Sequence, residues 1–379
     1  MNTYQLNGVC HLEIWEPSPI VISISKNTYL TSIVQFEFLI HNEAPVVLPF
    51  IPFSNEFLIP ELLDSDKQLL LPQKLISKQP GTNLYKGIGI PPCQSLVRYL
   101  LAKLLWQNDR LQLQIFIDEV ERLPESIADF HYYWLFEYLK LENYQFRFSY
   151  KSPAEEFSFF NADTKEICQV RVSELEYAPT HWVNLRLVEP LVVDNSTVEV
   201  DGICFQTVIL DRISTVSLTQ SDSKIYIPIG MQITNNTSTP LRFFLFDSLI
   251  PTLIGKDGQI VLPKNGGASY GFRIAQESDS QLAIPGQIIT LFPGAYLTQQ
   301  ADGLLKLYVP GRGRSVWWFE NLQPGTYQVQ LTYKTPIELI DPGFIENWMK
   351  GKKFEDLWVG MVCTPFVKLH LKRFLIKSL

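Results

Sequence analysis

Histidine and cysteine are scarce in this chain, five of each among 379 residues. His11, His41, His131, His181 and His370 form no HxH or HExxH pair, so no metal site is written into a local motif. Cys10, Cys93, Cys168, Cys204 and Cys363 are odd in number and contain no CxxC, so neither a disulfide framework nor a zinc site is indicated. Charge is sparse too. Only 19% of residues are Asp, Glu, Lys or Arg, the formal net charge is -7, and the clustered cations that a duplex nucleic acid requires are missing. No apolar stretch reaches the ~18 residues of a membrane-spanning helix. The first residues lack a basic segment followed by a continuous apolar run, so the expected location is the cytoplasm, without membrane contact. There is no GxxxxGK[ST] phosphate loop, and no cofactor is expected.

Internal repetition is plain. Residues 58–72 (LIPELLDSDKQLLLP) match 249–263 (LIPTLIGKDGQIVLP), and 136–153 (FEYLKLENYQFRFSYKSP) match 319–336 (FENLQPGTYQVQLTYKTP), in the same order and at nearly the same separation. Gly8-Val9-Cys10 recurs as Gly202-Ile203-Cys204, and Trp182–Leu187 recurs as Phe366–Leu371. The expected organisation is a first module over 1–188, a linker over 189–201 and a second module over 202–379. The linker holds one proline and an Asp-Asn-Ser turn signal, too little Gly and Ser for a long tether. Cys10 and Cys204 fall at equivalent places and are expected to be small buried hydrophobes in a reducing compartment.

Aromatic content of 13% and segments such as VQFEFLIHN, YQFRFSYK, LRFFLFD and YQVQLTYK, which alternate apolar and polar residues, predict strands bounded by Asn, Asp, Gly and Pro turns. The expected fold class is all-β: two tandem sandwich modules arising from internal duplication. One segment departs from this. Leu96, Val97, Leu100, Leu101, Leu104 and Leu105 recur at helical spacing, which predicts a short helical insertion over 94–107 of the first module, either closing its own sandwich or offering Leu100 and Leu104 to a partner. A shorter helix candidate is ENWMKGKKFEDLW at 346–358.

Motifs for chemistry are few. Gly267-Ala268-Ser269-Tyr270-Gly271 has the GxSxG pattern of a nucleophile elbow, but it leads into the strand-like FRIA rather than a helix, which argues against a hydrolase centred on Ser269. The loop VPGRGRSVWWFENL is the most site-like stretch. Arg312 and Arg314 beside Trp317 and Trp318 suit partner anchoring, sugar stacking or the grip of an acidic protein surface. The first copy keeps aromatics there (Tyr132, Tyr133, Trp134), so core packing is expected for Trp134 and Trp318, leaving Arg312, Arg314 and Trp317 as candidate contacts.

Ile233–Leu241 (ITNNTSTPL), Asp257-Gly258, Phe292-Pro293-Gly294 and Leu322–Tyr327 (LQPGTY) resemble the strand and turn markers of immunoglobulin-like sandwiches, especially the bacterial BsuPI-type intracellular proteinase-inhibitor domain. The resemblance covers about 230–333 and implies an immunoglobulin-like sandwich and, with it, proteinase inhibition. The residues themselves favour a non-catalytic cytoplasmic scaffold or adaptor that binds other proteins; proteinase inhibition, carbohydrate binding through Trp317 and Trp318, and an enzyme built on Ser269 stand as alternatives.

Overall fold

Period-two burial decides the architecture. In Ser32–Asn42 (SIVQFEFLIHN), Phe36, Phe38 and Ile40 are buried while Glu37, Leu39 and His41 between them are half-buried, as a pleated strand with one face on a core requires. A computed structural model describes residues 10–14, 16–26, 31–43, 48–50, 58–76, 88–91, 93–117, 132–150, 156–161, 166–171, 179–191, 196–209, 213–217, 225–244, 248–255, 258–261, 264–265, 280–292, 295–299, 305–310, 316–335 and 356–374. Among the described residues the regular structure is entirely β, with no helix. The chain divides into two units. Unit 1 is Met1–Glu16 with Ile33–Arg186; unit 2 is Pro17–Ser32 with Leu187–Leu379.

In unit 1, a six-stranded sheet runs in the order Cys10–Ile14, Ser32–Asn42, Ser95–Gln107, Arg110–Ile117, Tyr132–Leu139, Gln73–Ile76. A second sheet places Asn143–Tyr150 between Val183–Val188 and Leu58–Leu63. The two pack face to face through ring pairs, Phe36 with Phe146 at 5.8 Å and Phe38 edge-on to Phe148 at 5.6 Å. Each of these rings is fully buried, which stabilises by roughly 1.5–3 kcal/mol per side chain.

In unit 2, a four-stranded sheet runs Thr197–Val200, Ile203–Ile209, Ile229–Asn235, Ile288–Leu291, and a five-stranded one runs Ile225–Tyr226, Tyr296–Gln299, Leu305–Pro310, Val316–Leu322, Lys264–Asn265. A third group of strands is built around Gly325–Lys334, which pairs with Leu249–Ile254, Val367–Phe374 and Met361–Cys363. Phe205, Phe243, Tyr333 and Trp358 form one aromatic cluster at its centre, with centroids 4.9 to 6.2 Å apart. Ile20–Ser23, from near the chain start, lies parallel to Met361–Cys363 in this unit with every residue buried.

The matched sequence segments adopt matched geometry. Leu58–Leu63 pairs with Asn143–Tyr150 so that Pro60 faces Phe148, and Leu249–Ile254 pairs with Gly325–Lys334 so that Pro251 faces Leu331. Both preceding strands carry a bulge at the same point. Tyr138 and Asn321 each have φ of 59°, and the partner ladders shift register at Leu111/Leu113 and Leu305/Leu307.

The segment 94–107, expected as a helix, is instead the strand Ser95–Gln107, paired residue for residue with Arg110–Ile117. A four-residue leucine spacing is a multiple of two as well as close to 3.6, so Leu100, Ala102 and Leu104 also share one strand face, and all three are buried. Asn108 and Asp109, with φ of 51° and 59°, supply the two left-handed positions of a tight hairpin turn whose twist suits the flanking strands. Eight ladder pairs outweigh the helical propensity of leucine. Of the 346–358 candidate, 346–355 lie outside the described residues, and 356–358 are not helical.

Candidate functional site

The five-stranded sheet of unit 2 has two unlike faces. Leu297, Leu305, Leu307, Val309, Trp317 and Phe319 point to the core. Alternation therefore sends Tyr296, Thr298, Lys306, Tyr308, Trp318 and Glu320 to the other side. There, register aligns four aromatics across four neighbouring strands: Tyr226 opposite Tyr296, Tyr296 opposite Tyr308, Tyr308 opposite Trp318, with Lys264 opposite Trp318 on the next strand. Tyr226 is 72% exposed and the other three aromatics are half-buried.

The row is fixed by its own contacts. Tyr296 and Tyr308 stack at 4.8 Å and 13°, and Tyr226 leans on Tyr296 at 6.2 Å and 60°. The Lys306 ammonium lies 5.0 Å from the Tyr308 ring centroid and 4.9 Å from that of Trp318, and 3.0 Å from Glu320 Oε1. The same carboxylate oxygen accepts the Trp318 indole N–H at 2.9 Å. Partial burial pulls the Lys306 ammonium towards neutrality, but its bonds to Glu320 and Tyr308 outweigh this and leave its pKa raised. The result is an amphipathic, pre-ordered aromatic surface with an internally neutralised charge pair.

The matched positions of unit 1 carry no aromatic row. Lys103, Gln114, Leu135 and Gln73 hold the positions of Tyr296, Tyr308, Trp318 and Lys264. Gln112 donates to Glu137 Oε1 at 3.0 Å where Lys306 meets Glu320, and the Arg110 guanidinium lies 4.4 Å over Tyr138. Arg110, Gln112, Gln114, Leu135 and Glu137 border a concavity of about 260 Å³ that also takes in Gln107, Asn108, Tyr133 and Leu75. Burial lowers the pKa of Lys103.

The residues singled out from sequence fall as follows. Leu100 and Leu104 are 1% and 0% exposed and belong to the core of unit 1. Trp317, expected at a partner contact, is buried at 7% like its match Trp134, whereas Trp318, expected in the core, lies on the outer face; the strand sits one residue out of the assumed phase, and a one-residue shift exchanges faces. Arg312, Arg314 and Ser269 lie outside the described residues. Cys204, expected to be buried, is half-buried, with Asn236 donating to its sulfur at 3.4 Å, and burial and Glu199 push its thiol pKa up; the Cys10 side chain is outside the described residues.

The aromatic row itself was missed. Its signal was present, since Lys306 and Tyr308 alternate with Leu305, Leu307 and Val309, which places Tyr308 in the polar register of its strand. Among the described residues no group of three or more His, Cys, Asp or Glu is placed to hold a metal ion, and no helix is long and apolar enough to cross a membrane. No protein-family model matches the chain, and no curated protein matches it.

Proposed function

We propose that this protein is a non-catalytic cytoplasmic scaffold or adaptor, built from two immunoglobulin-like sandwich modules that arose by internal duplication, and that unit 2 engages a protein partner through the face carrying Tyr226, Tyr296, Tyr308 and Trp318. The aromatic row carries the reading. Tyrosine and tryptophan give large rigid contact area at low entropic cost, and here the rings are ordered before any partner arrives. Duplicated modules diverge where one gains a role, and four matched positions of the same face change from polar or aliphatic to aromatic or basic between the units.

Two features support the immunoglobulin-like part. Matched registers and matched bulges recur in both units. Tyr144 and Tyr327 also each bond back to the residue four positions upstream, the tyrosine corner found in many immunoglobulin-like sandwiches. The BsuPI-type resemblance supports the same fold.

Affinity isolation with the full chain, set against the double variant Tyr308→Ala with Trp318→Leu, tests the proposal. The expected outcome is a partner set retained by the parent and by a Gln114→Ala control but depleted at least tenfold by the double variant. Equal capture by the double variant, or stoichiometric inhibition of an intracellular protease by the parent chain, would overturn it.

A further inference from the structure

We infer that this chain forms a symmetric dimer in which Ile288–Leu291, an edge strand of the four-stranded sheet of unit 2, pairs antiparallel with the same strand of a second copy. This surface is separate from the aromatic row. Ile288–Leu291 is bonded to Ile229–Asn235 on one side, and no described strand pairs with its other side. That open side is a template for another strand.

The ladder decides which backbone groups are open. Bonds in an antiparallel pair fall on alternate residues, and the Asn235 N–H donates to the Gln287 carbonyl at 3.1 Å. Ile289 and Leu291 therefore hold the bonded places opposite Ile233 and Met231. The N–H and C=O groups of Ile288 and Thr290 point away from the sheet, and Phe292 continues the same phase. Their side chains share the face turned from the core, since Ile289 and Leu291 between them are each 2% exposed. Ile288 is 55% exposed and Phe292 44%, with Ile284 and Leu282 also exposed beside them. Four large apolar side chains exposed within residues 282–292 make a rim that a monomer leaves in water.

The occupant follows from register and charge. A two-fold axis through Thr290 sets Thr290 opposite its own copy and Ile288 opposite Phe292 of the second copy, on both sides of the axis. Every open residue then meets another open residue in phase, so the outward N–H and C=O groups of all three are satisfied. The side-chain pairs are threonine with threonine and aromatic with β-branched, combinations that stabilise neighbouring strands. No charged residue occurs between Asp279 and Asp302, so the strand has nothing to select a foreign partner by charge and nothing to repel an identical one, despite the net charge of -7. The other edge of the same sheet differs. There Thr197–Val200 carries the exposed Glu199, the kind of charge that guards an edge against pairing. An isologous contact of this kind closes on itself, so association stops at two copies.

Sedimentation velocity of the full chain tests the inference, with the melting temperature as the control for folding. The parent is expected to pass from monomer to dimer as its concentration rises to about 100 μM. Ile288→Lys sets a charge against Phe292 of the second copy and should weaken the dimer at least tenfold with an unchanged melting temperature, because the side chain is exposed. Thr290→Pro removes an outward N–H without touching a bond of its own sheet, and should do the same. Thr290→Cys reads the register. Bonded antiparallel partners have Cα atoms about 5.5 Å apart, within disulfide range, so mild oxidation should link Thr290→Cys dimers above the background set by the exposed Cys93, while Ile288→Cys should stay at that background. A parent still monomeric at about 100 μM, a dimer indifferent to Ile288→Lys, or stronger linkage through Ile288→Cys than through Thr290→Cys overturns the inference. A monomeric parent whose Ile288→Lys variant loses a native partner would give the edge to a foreign strand, and overturns it as well. Tyr308 and Trp318 are untouched in every variant, so failure of the dimer leaves the adaptor reading to its own test.

Discussion

Ser23 donates its hydroxyl to the Cys363 carbonyl at 2.7 Å, fastening a strand from the beginning of the chain to one near its end. Around that bond Ile20, Val21 and Ile22 run parallel to Met361, Val362 and Cys363, and all six side chains are fully buried. Burying three such residues contributes roughly 1.5–3 kcal/mol each, a sum comparable with the whole stability of a typical domain. A fragment spanning 187–379 is therefore expected to lack a cooperative thermal transition by circular dichroism, and a synthetic peptide of residues 17–32 added in excess is expected to restore it. A fragment that melts sharply without the peptide would show the strand to be dispensable.

The Tyr144 hydroxyl accepts the Lys140 N–H at 2.9 Å and donates to the Lys140 carbonyl at 3.2 Å; Tyr327 does the same with Gln323 at 2.9 and 2.8 Å. Both rings are largely buried, so deleting the hydroxyl leaves backbone groups short of a partner. Tyr144→Phe and Tyr327→Phe should each cost about 1–2 kcal/mol in denaturant unfolding. A loss below about 0.5 kcal/mol in either variant would mean that water replaces the hydroxyl there.

Much of this fold was legible in the sequence because repeated segments and alternation are signals that short stretches carry. The matched segments 58–72 and 249–263 do form equivalent strands, and YQFRFSYK and YQVQLTYK both pair as their alternation requires. What failed had physical causes. Leucines spaced by four fit a strand as well as a helix, and only the Asn108-Asp109 turn, followed by the alternating LQLQIFI, distinguishes the two. The parallel pairing of Ile20–Ser23 with Met361–Cys363 joins residues about 340 apart, a distance at which no local pattern informs. Within the candidate site, adjacent tryptophans defeat parity counting, because either one is a credible core residue.

Lys103 provides a pH test for unit 1. Burial lowers its folded-state pKa below the ordinary 10.5, while the unfolded chain keeps the ordinary value. Between the two values the unfolded state binds more protons, so stability rises with pH across that window, and the penalty is fully present below the folded pKa. Lys103→Met removes the penalty. The variant should melt higher than the parent at pH 7, and the gap should narrow as pH climbs towards 10. A gap that is constant with pH would assign the gain to packing rather than to the buried ammonium.

Trp317 and Trp318 are neighbours with opposite duties, and paired substitutions separate them. Trp317 is 7% exposed and belongs to the core cluster of unit 2, so Trp317→Leu leaves a void that its neighbours fill only in part, at a cost of roughly 2–4 kcal/mol. Trp318 faces outward, held by Glu320 and by the Lys306 ammonium, and leucine already occupies the matched position 135 in unit 1. Trp318→Leu should therefore change stability by less than about 1 kcal/mol while abolishing its share of partner contact. The expected pattern is crossed: the first variant loses melting temperature and retains binding at low temperature, and the second retains melting temperature and loses binding. If Trp318→Leu proves the more destabilising of the two, the outward face is packed against structure, and the row is a second core rather than a docking surface.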